Sequence, residues 1–191
     1  MTDGPSLLSL AAAGFYAVVT VTAAIASATA RAKRQQNWHF QAWLTISIFF
    51  AMLIVWRLLN MDDVVREALR GWLEAQGLLS KRRTWQGFAV ALALSALAAF
   101  VLFGFYTVSQ RVKGRRNVAI LIASTCSGAM IGLIILRLIS LHALDQLLFG
   151  SLKLNWVGDL GAAAAVFGSA LYYILLLRNL LPAADKRKRS S

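Results

Sequence analysis

Proline is almost missing from this chain. Pro5 and Pro182 are the only two, one near each end of 191 residues. No apolar stretch is therefore kinked by proline, and the proline interruptions common in transporters with broken helices do not occur. Cysteine is scarcer still. A lone Cys126 excludes a disulfide framework and any zinc site built from cysteines. In the middle of an apolar block it reads as inert packing. Two histidines and eight acids leave little material for a polynuclear metal centre, so no metal and no cofactor is expected. Apolar residues, in contrast, make up 59% of the chain, above the usual share of a soluble domain. That composition excludes both an ordinary soluble globular domain and a disordered chain.

The apolar residues fall into five blocks of about 20 residues or more, each long enough to cross a bilayer. The blocks run approximately over 7–30, 41–60, 86–108, 118–141 and 157–181. They are continuous, whereas a β-barrel needs short alternating segments. The start, Met-Thr-Asp-Gly-Pro-Ser, has no basic n-region, so the first block is expected to be a retained helix rather than a standard signal peptide. The expected fold is all-α: a polytopic membrane helix bundle of five transmembrane helices forming one domain over 1–181, followed by a basic tail at 182–191.

Positive charge is distributed unevenly about these blocks. Arg31, Lys33 and Arg34 follow the first, and Arg111, Lys113, Arg115 and Arg116 follow the third. Arg178 and Lys186 to Arg189 close the fifth. This face holds twelve basic residues against one acid, Asp185. The opposite face balances Arg66, Arg70, Lys81, Arg82, Arg83 and Lys153 with seven acids. By the positive-inside rule the basic face is cytoplasmic, which puts the N-terminus outside and the C-terminus inside. Three juxtamembrane clusters are not a groove, so the net charge of +12 speaks for lipid contact and topology rather than nucleic acid.

Residues 62–76 have a different pattern. Val64, Val65, Ala68, Leu69, Trp72 and Leu73 make one helical stripe, opposite Asp63, Arg66, Glu67, Arg70 and Glu74. Asp62 and Asp63 suit a helix N-terminus, and Gly77 suits its end. An amphipathic helix on the outer membrane surface is expected here. Trp38, Trp43, Trp85 and Trp156 stand at block boundaries, as in aromatic belts.

Arg57 and Arg137 align in a possible internal repeat, with 53–60 lying over 133–140. The run Trp56-Arg57-Leu58-Leu59-Asn60 precedes the acidic stripe. Further along come 78–86, Arg137 with His142 and Asp145, and Leu154-Asn155-Trp156 before Asp159. Together these resemble a group of small multi-pass bacterial membrane proteins with no assigned activity. The resemblance spans most of 40–170. It implies a bacterial inner-membrane setting and no catalytic residues.

The arginines are the unusual side chains, since arginine at mid-bilayer costs at least about 2.5–3.5 kcal/mol. Counted along a helix from Trp38, Arg57 lies roughly 28 Å away, close to the outer headgroup level. Arg137 reaches a similar level counted from Asn117. Two readings are open. Both arginines snorkel to the headgroups, or they face inward to pair with acids or hold an anion such as a lipid phosphate. Asp159 is the best intramembrane partner, with Asp62, Asp63 and Asp145 at the same level. His142 and Asp145 share a helical face and permit an acid–base pair. Ser140 and His142 point apart on a helix, which weakens any triad. One haem held by His39 and His142 is excluded, because a bilayer core of about 30 Å separates them. Ser124, Gly128 and Gly132, with Gly161, Ala165 and Ser169, form small-residue rows for close helix packing. That packing is either between the two spans or with a membrane-protein partner or second copy.

The leading functional expectation is a non-enzymatic accessory or binding subunit of a membrane complex, with an anion or lipid-headgroup site near Arg57, Arg137 and Asp159. The alternatives are an outer-face enzyme acting on a lipid through His142 and Asp145, and a small transporter. Transport is weakened because the central thirds of the spans carry no charge.

Overall fold

The computed structural model describes residues 7–61, isolated positions between 64 and 71, Ser95, Tyr106, 114–139 and 154–180. These residues form four α-helices and no strand. The helices are α1 (Leu7–Ala32), α2 (Asn37–Leu58), α3 (Arg115–Ile139) and α4 (Leu154–Leu177). Each is long and apolar enough to cross a membrane. They correspond to the first, second, fourth and fifth apolar blocks. The expected third span, and most of the expected surface helix at 62–76, lie outside the described residues.

Each helix buries one seam at alternating spacings of four and three. In α1 it is Ala12, Tyr16, Val19, Ala23, Ala26 and Ala30; in α2 it is His39, Trp43, Ile46, Phe50 and Leu53. In α3 it is Ile120, Ala123, Ser127 and Met130, and in α4 it is Ala163, Val166, Ala170, Tyr173 and Leu177. A 3.5-residue period suits helices packed at small crossing angles, about 20°. Small seam residues on α1 let its backbone approach α2 and α4 closely, while Trp43 and Phe50 of α2 fill the middle. Outside the seams the helices expose Val18, Val21, Ile48, Met52, Ile131 and Leu171. A soluble bundle would place polar residues there.

The helices form a ring. α1 packs most extensively on α2, α3 on α4, α1 on α4, and α2 touches α3 over a shorter stretch. α2 and α4 stand on a diagonal, with no close backbone approach. The α1–α2 hairpin is stitched by two inter-helix hydrogen bonds. Ser47 Oγ donates to the Thr20 carbonyl at 3.0 Å, and Ser27 Oγ donates to the Phe40 carbonyl at 3.2 Å. Such bonds are worth about 0.6 kcal/mol each in a membrane bundle.

Helix ends are set by left-handed residues. Arg34 (φ 50°) and Asn179 (φ 54°) each sit at the C′ position of a Schellman motif. Gln35 N–H donates to the Ala30 carbonyl, and Leu180 N–H to the Leu175 carbonyl, both at 3.0 Å. Asn60 (φ 47°) is also left-handed where α2 ends, and its N–H donates to the Arg57 carbonyl at 3.3 Å. The helices therefore depart from the apolar blocks at their edges. α2 begins at Asn37 rather than about 41, α3 at Arg115 rather than 118, and α4 covers 154–177 rather than 157–181. Polar residues continue a helix readily at headgroup level, whereas a left-handed residue stops it.

Candidate functional site

Two polar clusters occupy the seams, one at each end of the bundle. At the end where α1 and α4 begin and α2 finishes, Arg57 Nη2 pairs with Asp159 Oδ2. The Tyr16 hydroxyl donates to the other carboxylate oxygen, Oδ1. One carboxylate thus ties three helices together. The two charged side chains are 12% and 14% exposed. Arg57 falls on the α2 seam, four residues after Leu53, and Asp159 falls on the α4 seam, four before Ala163. Tyr16 reaches them because helical side chains lean toward their own N-terminus. Arg57 also sits in the last turn of α2, where positive charge meets the favourable end of the helix dipole, worth about 0.3–1 kcal/mol. Gly158 lets α3 come close beside the pair: a Cβ there would lie 3.3 Å from Leu133 Cδ1.

Of the expected site residues, the structure brings Arg57 and Asp159 together as an ion pair. Arg137 lies in the last turn of α3, three residues after Ile134, and so continues the α3 seam by register. Its side chain lies outside the described residues, as do His142, Asp145, Asp62, Asp63 and Ser140. Tyr16 escaped the sequence reading because a tyrosine inside an apolar block counts as apolar. The signal that finds it is its place in the row Ala12, Tyr16, Val19, Ala23.

At the opposite end, His39 Nδ1 is hydrogen-bonded to Tyr173 Oη at 2.8 Å, and both residues are buried. Asn117 of α3 is a further hydrogen-bonding neighbour of the imidazole. Trp43 packs on Tyr173 with ring centroids 5.3 Å apart. Its indole N–H is buried without a hydrogen-bond partner among the described residues, a debt of about 1–3 kcal/mol. This cluster joins α2, α3 and α4. Sequence reasoning weighed His39 only as a haem ligand and missed it as a core position. The spacing His39, Trp43, Ile46, Phe50, Leu53 carries that signal.

Both clusters bridge the α2–α4 diagonal with long side chains where the backbones do not meet. Both oxygens of the Asp159 carboxylate are engaged, Oδ2 by Arg57 and Oδ1 by Tyr16. No group of three or more His, Cys, Asp or Glu side chains that could hold a metal ion comes together among the described residues. Cys126 is a half-buried thiol packed against the core.

The expected small-residue rows are offset from the buried ones. Ser124 and Gly161 are exposed, while Ala119, Ala123 and Ser127 on α3 and Ala163 and Ala170 on α4 are buried. Only Ser169 belongs to both sets. Several rows of small residues wind around each helix, and small size alone does not select between them.

No family model, curated protein or solved structure matches this chain.

Proposed function

We propose that this protein is an integral membrane accessory or binding subunit of a membrane complex, set in a bacterial inner membrane with its N-terminus outside. The observation that carries this reading is the mutual engagement of the ionisable side chains described in the seams. Arg57, Asp159 and Tyr16 satisfy one another, and His39 bonds to Tyr173. Between these clusters the seams are mostly apolar, with Val19, Ala23, Ile46, Phe50, Val166 and Ala170, and the described residues there include no charged side chain.

The finer part of the proposal is a lipid-headgroup site at the Arg57 end. Asp159 takes a terminal nitrogen of Arg57, and the pair forms the neutral floor of the site. Arg137, in the last turn of α3 and on its seam by register, is the residue proposed to supply the cation of the site. A lipid phosphodiester is the anion proposed for that cation, because the planar fork of a guanidinium suits phosphate.

The test is gentle purification in native lipid, with co-purifying proteins and lipids identified together. A stoichiometric membrane-protein partner supports the subunit reading; a chain that purifies alone, with no partner in native membranes, overturns it. Arg137→Gln is expected to lose tightly retained phospholipid while Arg57 and Asp159 remain paired. Unchanged lipid retention in that variant means that a carboxylate of the chain itself balances Arg137, and the headgroup site fails.

A further inference from the structure

The opposite end of the bundle carries a feature that neither cluster uses. Arg31, Lys33 and Arg34 close α1, Arg115 and Arg116 open α3, and Arg178 follows α4. All six are exposed, and no acidic side chain lies at this end among the described residues. Every one stands within two residues of the end of a membrane-length segment. That is headgroup level rather than bulk water.

Two of these arginines are held in place. Arg115 Nε donates to Tyr172 Oη at 2.8 Å, and its guanidinium lies over the same ring, 5.7 Å from the centroid. Arg116 Nη1 donates to Gln35 Oε1 at 3.2 Å, which ties the start of α3 to the α1–α2 turn. A cation that serves only topology has no need of such contacts, because charge alone suffices. A guanidinium fixed through Nε keeps its two terminal nitrogens for a second acceptor, in the fork geometry that matches phosphate. Fixing the side chain beforehand also removes part of the entropy cost of binding. Trp38, exposed at the same level, is the residue type that anchors in the headgroup region.

We propose that Arg115 and Arg116, pinned by Tyr172 and Gln35, form a headgroup site for an anionic phospholipid, with Arg31, Lys33, Arg34 and Arg178 supplying the surrounding attraction. The phosphodiester sits on the Arg115 fork. This site lies at the other end of the bundle from the one under Proposed function and does not depend on it.

The test uses the full chain in phosphatidylcholine bilayers containing trace spin-labelled phosphatidylglycerol or spin-labelled phosphatidylcholine. The readout is the fraction of label held at the protein. Phosphatidylglycerol is expected to be preferred, and Arg115→Gln should weaken its apparent affinity about fivefold, the worth of one near-surface cation. Arg115→Lys keeps the charge and should still lose affinity, because the fork is gone. Tyr172→Phe keeps every charge and unpins Arg115, so a loss of about two- to threefold is expected from restored side-chain freedom. Equal retention of the two lipids overturns the proposal. So does a Tyr172→Phe protein that binds phosphatidylglycerol as tightly as the parent, since the collar is then diffuse charge. Release of the lipid by excess inorganic phosphate also overturns it, because the ligand would then be a soluble anion.

Discussion

Asp159 is held from two sides, and each contact has its own expected cost. Asp159→Asn leaves Arg57 without this counter-charge. Breaking a fully buried pair costs about 3–5 kcal/mol, and the position of this pair at the rim of the spans puts the expected loss at or below the lower figure. Tyr16→Phe removes a hydrogen bond to a charged acceptor, worth about 1.5–3 kcal/mol. The two substitutions touch the same carboxylate, so the double variant is expected to lose less than the sum in thermal unfolding in detergent. Additive losses would show that Tyr16 and Asp159 act independently. The sequence pointed to Asp159 as a partner for Arg57 but did not decide the contact, because snorkelling and three other acids at that depth remained open. Tyr16 was not legible, since its hydroxyl carries no charge and its ring suits an apolar block.

The capping residues act on whole helices. Asn179 holds a left-handed conformation that costs a residue with a Cβ about 1–2 kcal/mol and that asparagine tolerates better than most. Asn179→Val is expected to destabilise by about that amount and to speed hydrogen exchange of the Leu180 amide, while Asn179→Gly should be neutral or mildly stabilising. Gly158→Val would crowd Leu133, 3.3 Å from the new Cβ, and overpacking of this kind costs about 1–3 kcal/mol. The loss should appear as a lower thermal midpoint. Four of the spans could be read from apolar blocks, because a bilayer demands about 20 apolar residues whatever they pack against. Their ends could not. Hydropathy is blind to Asn37, Trp38 and His39 continuing a helix, and it ran on to about 181 although Asn179 turns the chain at the end of α4. The buried faces were hidden for a related reason. When nearly every residue is apolar, the seam differs from the lipid side only in its four–three spacing, which counting over a whole block averages away.

Orientation belongs to the whole molecule. With Cys126 replaced by alanine, a cysteine at Ser190 should label only after permeabilisation and one at Ser80 without it; the reverse pattern would invert the charge argument. The diagonal clasp also imposes an order in time. Arg57 and Asp159 are 102 residues apart in the chain, and Tyr16 and Asp159 are 143 apart. At a synthesis rate of about 5–20 residues per second, the arginine reaches the insertion machinery roughly 5–20 s before its carboxylate exists. During that interval the guanidinium must stay at the water boundary or in the shelter of the insertion apparatus, and the α1–α2 hairpin waits without the Asp159 carboxylate. Translation of the fourth described helix ends the wait. A ribosome that stalls before residue 159 leaves a hairpin whose arginine lacks this partner, and that hairpin is the form a membrane protease would be expected to clear.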